Sequence, residues 1–210
     1  MIPAFTEQGF LPPGIYQATL DEFKERFVVF QRSDRRFRIF AQLEKLLDQA
    51  VRAGIVKRIL IAGSFVSAKP EPNDFDCIVV LDPSIVGKPL QPFEYNLVSR
   101  QMAQRMFGGD VIPALDNSTA LQQYLEFFTD HTRRKRHRHC GDPIMIEDTN
   151  QLRVTMQQMR RLLWALADLK EHVLSQDPKL FATMAEAPLE DLDRLRQEVE
   201  SFLDQLKPVA

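Results

Sequence analysis

Asp74 and Asp76 flank Phe75 immediately before the apolar run Cys77-Ile78-Val79-Val80-Leu81. Side chains alternate along a strand, so two acids on either side of one phenylalanine share a face, with backbones about 7 Å apart. Like charges that close repel, and a bound cation removes the penalty. Hard divalent ions such as Mg²⁺ take carboxylate and phosphate oxygens. Two of them about 4 Å apart can activate an attacking hydroxyl while neutralising a leaving pyrophosphate. Gly63-Ser64, which ends the apolar run Ile59-Leu60-Ile61-Ala62, complements the acids. A residue without Cβ lets a polyphosphate approach the backbone, the N–H groups that open a helical turn favour anions, and serine adds a hydroxyl donor. Taken singly, each feature has a plain reading: an Asp-x-Asp before a buried strand is often a charged capping turn, and a Gly-Ser pair is common. Together, between two buried strands, they point to phosphoryl transfer.

The extended run Gly63-Ser64-Phe65-Val66-Ser67-Ala68-Lys69-Pro70, then Pro72-Asn73-Asp74-Phe75-Asp76, resembles the DNA polymerase β-like nucleotidyltransferase superfamily. There a Gly-Ser pair at the end of one strand precedes an Asp-x-Asp on the next. It looks like a branch of small prokaryotic proteins in that superfamily, and Pro13-Gly14-Ile15 fits the branch as well. The resemblance covers roughly the first two-thirds of the chain and is specific near Gly63 to Asp76. It implies Mg²⁺-dependent transfer of a nucleoside monophosphate from an NTP to a hydroxyl of a protein, an RNA or a small molecule. By position, Asp74 and Asp76 would hold metal, and Gly63 and Ser64 would seat the β and γ phosphates.

The resemblance also implies a third carboxylate from a later strand, sharing a metal and drawing the proton from the acceptor hydroxyl. Asp110 is the candidate, since it opens the apolar run Asp110-Val111-Ile112 after the turn Gly108-Gly109; Asp116, Asp142 and Glu147 are rivals. Lys69 is close enough in sequence to add a cation. Small members of the superfamily include toxin–antitoxin and defence components, some of which modify a partner protein or tRNA. The runner-up is a catalytically silent module of the same fold that binds a nucleotide, RNA or a partner chain. A third reading is an oligomer-forming protein whose motif is a relic.

These residues need a scaffold, and the pattern predicts one of α+β class: a small mixed sheet flanked by helices, nucleotidyltransferase-like, with a C-terminal helical hairpin. An irregular arm carrying Gly9, Pro12, Pro13 and Gly14 comes first. Thr19 and Glu22 form a capping box for a short helix bearing Phe23 and Phe27. Phe37, Phe40, Leu43, Leu47 and Val51 mark the inner face of a helix over about 34–53, stopped by Gly54. Strands follow over 56–62 and 74–81. One helix holds Leu97, Val98, Met102 and Met106 inside; a strand starts near Asp110 and is disturbed at Pro113; Ser118 caps a further helix; and Pro143 to Glu147 adds an outer strand. The reading divides the chain into a nucleotidyltransferase-like domain over 1–150 with its N-terminal arm, and a helical hairpin appendage over 151–210. In the hairpin, Thr155 opens one helix, Asp177-Pro178 interrupts it, and a last helix from about Pro188 carries Leu189, Leu192, Leu195, Val199, Phe202, Leu203 and Leu206 on one stripe. That stripe can serve homo- or hetero-oligomer contacts.

Composition bounds these readings. The 210 residues are 44% hydrophobic and 27% charged with a formal net charge of -2, an ordinary globular balance that argues against a general nucleic-acid coat. A local exception is Arg133, Arg134, Lys135, Arg136 and Arg138, a cationic run that reads either as a solvated loop or as an RNA or phosphate contact. His131, His137, His139 and Cys140 lie among these cations without the paired spacing of a zinc site, so zinc is not expected. Two cysteines and no signal-like or membrane-spanning run lead us to expect a cytoplasmic chain with no structural disulfide. Cys77 reads as a small buried hydrophobe, Trp164 and the methionines of the terminal helices as core, and His172 as a surface or interface residue. No Gly-x-Gly-x-x-Gly or P-loop occurs, which removes the usual evidence for dinucleotide or Walker-type binding.

Overall fold

Thr19 stops the N-terminal arm and starts the first helix, α1 (Leu20–Phe27): its hydroxyl accepts the Glu22 N–H while the Glu22 carboxylate accepts the Thr19 N–H, the predicted capping box. A computed structural model describes residues 2–29, 34–129, 146 and 148–206, with backbone alone over 127–129. The second helix, α2 (Asp34–Ala53), spans the predicted range, but its buried face is turned by one residue. Ile39, Phe40, Leu43, Leu46 and Ala50 are buried with Arg36, whereas Phe37 and Val51 are exposed. Adjoining apolar positions offer two stripes at nearly the same period, and contact with the sheet selects between them.

Three strands, β1 (Val56–Ala62), β2 (Asp76–Leu81) and β3 (Asp110–Leu115), form a sheet in the order β1-β2-β3 among the described residues. β1 runs antiparallel and β3 parallel to the central β2. β2 begins at Asp76 rather than at the expected Asp74, so Asp74 lies in the approaching loop. Pro113 does not interrupt β3, which continues to Leu115; the strand lies at the edge of the described sheet, where a residue lacking an N–H is tolerated. Alternation divides the sheet into two faces. Cys77, Val79, Leu81, Val111 and Leu115 join the main core with α1 and α2, whereas Ile78, Val80 and Ala114 pack with Leu121 and Tyr124 of α5 (Thr119–Thr129).

The single helix expected before β3 is two, α3 (Pro92–Val98) and α4 (Arg100–Phe107), with extended backbone at Ser99 between them. The Ser99 hydroxyl accepts the Met102 N–H and caps α4. Ala103 and Phe107 face inward, and Met102 and Met106, predicted to do so, are exposed. Ser118 caps α5 as predicted, accepting from the Leu121 N–H at 3.0 Å. Buried Asp168 reaches the same helix start and accepts the Thr119 N–H at 3.1 Å, where the helix dipole favours negative charge.

Asp168 belongs to α6 (Thr149–Leu169), whose N-cap is Asp148. Thr155, predicted to open this helix, is buried inside it. After one wider turn over Lys170–Leu174, Asp177 caps α7 (Pro178–Gln205), and Pro188, predicted to start the last helix, lies within it. Leu169, Val173, Leu180 and Met184 of this hairpin enter the main core. Leu195 and Phe202 of the predicted stripe are buried, while Leu189, Leu203 and Leu206 are exposed. Trp164 and Met156, expected in the core, are exposed as well, because α6 presents that side to solvent. His172 is on the surface as expected, its Nδ1 2.9 Å from the Asp168 carbonyl oxygen. The outer strand expected over Pro143 to Glu147, apart from Ile146, and the basic run with its histidines and Cys140 lie outside the described residues. Among the described residues no helix is long and apolar enough to cross a membrane.

Candidate active site

Asp76 is the first residue of β2 and pairs in register with Ala62 of β1 on one side and Asp110 of β3 on the other. Register partners place their side chains on the same face of a sheet about 5 Å apart. Asp76 and Asp110 are therefore neighbours at one margin of the sheet, on the face that carries Ile78, Val80 and Ala114. The Phe75 carbonyl accepts the Asp110 N–H at 2.9 Å, which extends the β2–β3 ladder one residue toward Asp74. Phe75 itself is fully buried, and a Cβ at Gly109 would stand 2.4 Å from its ring, so glycine there lets the ring seat.

Gly63 ends β1 beside this row with φ 76° and ψ -160°, a conformation that favours glycine. A Cβ at Gly63 would lie 1.6 Å from Asp76 Oδ2. The Asp76 carboxylate thus occupies the space that any other side chain would take, against the backbone of the Gly-Ser turn. The helical turn expected after it is a single 3₁₀ turn, Ser64–Val66, and the Ser64 carbonyl accepts the Ser67 hydroxyl at 2.7 Å.

Two arginines that the sequence reading passed over hold the segment between Ser64 and Asp74. Arg36, fully buried, donates to the carbonyls of Phe27, Phe65, Ser67, Lys69 and Pro70 at 2.5–3.3 Å. Arg35 donates to the Pro72 carbonyl at 2.6 Å and to Asn73 Oδ1 at 3.2 Å. Burial lowers the Arg36 pKa from its ordinary value, but a guanidinium keeps its proton and all its N–H donors. A signal was present: Arg36 precedes buried Ile39 and Phe40 by three and four residues, so helical spacing puts it on the apolar face. From the other side, the Ala68 N–H donates to the Gly9 carbonyl at 2.8 Å, and Phe5 and Leu11 of the arm pack on the main core.

Asp110 stands where a third acid was sought, and its carboxylate is engaged. Arg100, at the start of α4, donates Nε to Asp110 Oδ1 at 2.8 Å and Nη2 to Oδ2 at 3.0 Å, and Nη1 to Asp191 of α7. Asp191 also accepts Arg194 Nη2 at 2.9 Å. Of the rivals, Asp116 follows the opposite end of β3 and pairs with Arg58 at 2.8 Å and Lys57 at 3.8 Å; Asp142 and Glu147 lie outside the described residues. Lys69 is exposed, its backbone held by Arg36. Cys77 is buried and outside any disulfide; burial pushes its thiol well up, and Asp110 and Asp76 add to the effect. Among the described residues no group of three or more His, Cys, Asp or Glu converges as a metal site. The Asp76 carboxylate packed against Gly63 is oxygen chemistry of the kind that Mg²⁺ takes, and Asp74 stands two residues before it in the approaching loop. Arg100 pairs with the Asp110 carboxylate, the group expected to share a metal as the third acid.

A family model described as a family of unknown function, DUF6932, matches residues 3–141. The chain belongs to this family. No curated protein and no solved structure matches the chain. The stretch shared with the DUF6932 family holds Arg36, Gly63, Ser64, Asp74, Asp76, Arg100 and Asp110 and ends before α6. Asp191, which shares Arg100, lies beyond it.

Proposed function

We propose that this member of the family binds a Mg²⁺–nucleoside triphosphate at the sheet margin and transfers its nucleoside monophosphate to a hydroxyl of a second molecule. The observation that carries the reading is the Asp76 carboxylate seated against Gly63, in one row with Asp110. Asp74 and Asp76 are the metal ligands, and the Gly63-Ser64 backbone with the Ser64 hydroxyl is the polyphosphate seat. Bound Mg²⁺ supplies charge neutralisation for the triphosphate and its leaving pyrophosphate. The acceptor oxygen forms a bond to the α-phosphorus, the bond from that phosphorus to the bridging oxygen breaks, and pyrophosphate leaves. Asp110, once clear of Arg100, takes the hydroxyl proton. The rigid segment clamped by Arg36 keeps donors and acids in fixed relation, the arrangement that electrostatic catalysis requires.

The test is incubation with Mg²⁺, each α-labelled NTP and cell extract, using the parent chain and an Asp74→Ala, Asp76→Ala pair. Label attached to a macromolecule or small molecule by the parent alone supports transfer. Equal labelling by both removes the assignment of these acids. The pair between Arg100 and Asp110 favours a second reading, a module that binds nucleotide without transferring it. In that case Mg²⁺–ATP raises the melting temperature of the parent and not of the variant, and no label is transferred.

A further inference from the structure

The two helices of the C-terminal hairpin pack along one another, and each keeps a further row of side chains exposed. On α6 the row is Arg153, Met156, Arg160, Leu163 and Ala167; on α7 it is Glu186, Leu189, Asp193, Arg196, Glu200 and Leu203. Both rows step by three and four residues in alternation, the period at which one helix lies along another. They are opposite in charge. Cations stand two turns apart on α6, at Arg153 and Arg160, and acids stand two turns apart on α7, at Glu186, Asp193 and Glu200, with half-exposed Met156, Leu163, Leu189 and Leu203 interleaved. The one acid within α6, Asp168, is buried. Within the chain Arg153 donates to Asn150 Oδ1 at 3.0 Å, Asp193 accepts from Gln197 at 3.0 Å and Glu200 accepts from Arg196 at 2.9 Å. Such exposed contacts hold little free energy against water and exchange readily for others.

We propose that the hairpin binds a second copy of this chain, with the α6 row of each copy laid along the α7 row of the other. Charge complementarity names the occupant: a cationic row with apolar gaps fits an anionic row with apolar gaps of the same period, and this chain carries both. The rows do not serve each other within one chain, where α6 and α7 meet through other sides and both rows stay exposed. A two-fold axis makes the contact twice and closes the assembly at two copies. Arginine suits such a seam, because its stem covers neighbouring apolar surface while the guanidinium meets a carboxylate. Burial of Met156, Leu163, Leu189 and Leu203 supplies the favourable free energy, and the opposed charges select the partner and the register. The inference uses no residue of the sheet margin and stands apart from the nucleotide reading. Both rows lie beyond residues 3–141, the part matched by the family, so the pairing belongs to the hairpin.

Sedimentation equilibrium of the full chain at micromolar concentrations should give twice the chain mass, with the dimer weakening as ionic strength rises. Trp164, the sole tryptophan, is exposed beside Leu163, and its emission should move to shorter wavelength as the copies associate. Charge reversal then tests the pairing of rows. Arg153→Glu with Arg160→Glu, or Asp193→Arg with Glu200→Arg, should each raise the dimer Kd by about tenfold or more, because like charges then face each other in both seams. Mixing the two reversed chains should restore pairing at about the parent affinity, since every seam again opposes unlike charges. If a reversed chain does not fold by circular dichroism, Arg153→Gln with Arg160→Gln decides in its place: a weaker dimer supports the proposal and an unchanged one overturns it. A monomeric parent overturns the proposal, whatever other protein it captures. So does a dimer that both reversals leave at the parent affinity, since another surface then holds it, and growth beyond two copies overturns the closed pair.

Discussion

Replacing Gly63 by alanine tests the contact on which the site is built. Two costs add at this position. The backbone at φ 76° and ψ -160° lies where essentially only glycine is found, so a Cβ-bearing residue there costs about 1–3 kcal/mol. The new Cβ would also stand 1.6 Å from Asp76 Oδ2, so the carboxylate must leave its rotamer, at about 0.5–1.5 kcal/mol more. Gly54 is a partial control: its φ of 67° also costs a Cβ-bearing residue about 1–2 kcal/mol, and nothing lies within 4 Å of its would-be Cβ to add a collision. Gly63→Ala should therefore lose about 1.5–4.5 kcal/mol and Gly54→Ala about 1–2 kcal/mol. At about 2–4 °C per kcal/mol for a chain of this size, the difference is readable in calorimetric melts. A double-mutant cycle isolates the collision, because Asp76→Ala removes the clashing oxygen and the two substitutions should then couple by about 1 kcal/mol. Equal losses at Gly54 and Gly63, with strict additivity between Gly63→Ala and Asp76→Ala, would refute the close approach. Stabilisation of the parent by Mg²⁺–ATP should also disappear in Gly63→Ala, since the displaced carboxylate is a proposed metal ligand.

Further outcomes follow from the surrounding groups. Arg36→Lys cannot satisfy the five carbonyls that Arg36 meets, so stability should fall by roughly 2–4 kcal/mol in urea melts, with faster proteolysis between Phe65 and Asn73. Equal stability and equal cleavage would show that the segment is held by other means. The phenol of Tyr124 is pushed up to about 12, chiefly by burial, with Asp191, Asp110 and Asp168 raising it and Arg100 opposing. The folded chain therefore holds this proton beyond the ordinary value of 10.0, and the associated stability is complete below pH 10.0 and is lost as pH rises through about 12. In absorbance titration one of the three tyrosines should ionise late, and Tyr124→Phe should remove that phase; simultaneous ionisation of all three would contradict the burial. In a Cys140→Ser chain, a thiol reagent should modify Cys77 only on unfolding, since the thiol is buried and held protonated; rapid native-state labelling would argue that the core around β2 opens.

Features written within a few residues were legible. The capping box of Thr19 and Glu22, the Gly54 stop, the apolar runs of β1 and β2 and the cap at Ser118 all depend on backbone groups close along the chain. Helix faces were less secure, since α2 carries two adjoining stripes and only the sheet beneath it selects Leu46 over Leu47. Proline misled at both ends of the fold. Pro113 is carried within β3, at the edge of the described sheet, and Pro188 within α7. Exposure of Trp164 and Met156 had no local signature, as either side of α6 is apolar enough to be buried.

The amino-acid order alone determined that Gly63 and Asp76 stand at adjoining strand ends, because both are joined to runs apolar enough to pair. It also singled out Asp110 from the turn before it. Whether that acid is available was decided by the tertiary structure, through Arg100 at the start of α4 and Asp191 far along α7. An ion pair between distant segments has no period and no spacing; it exists only when packing brings the partners within hydrogen-bond reach and strips away the water that would otherwise screen them.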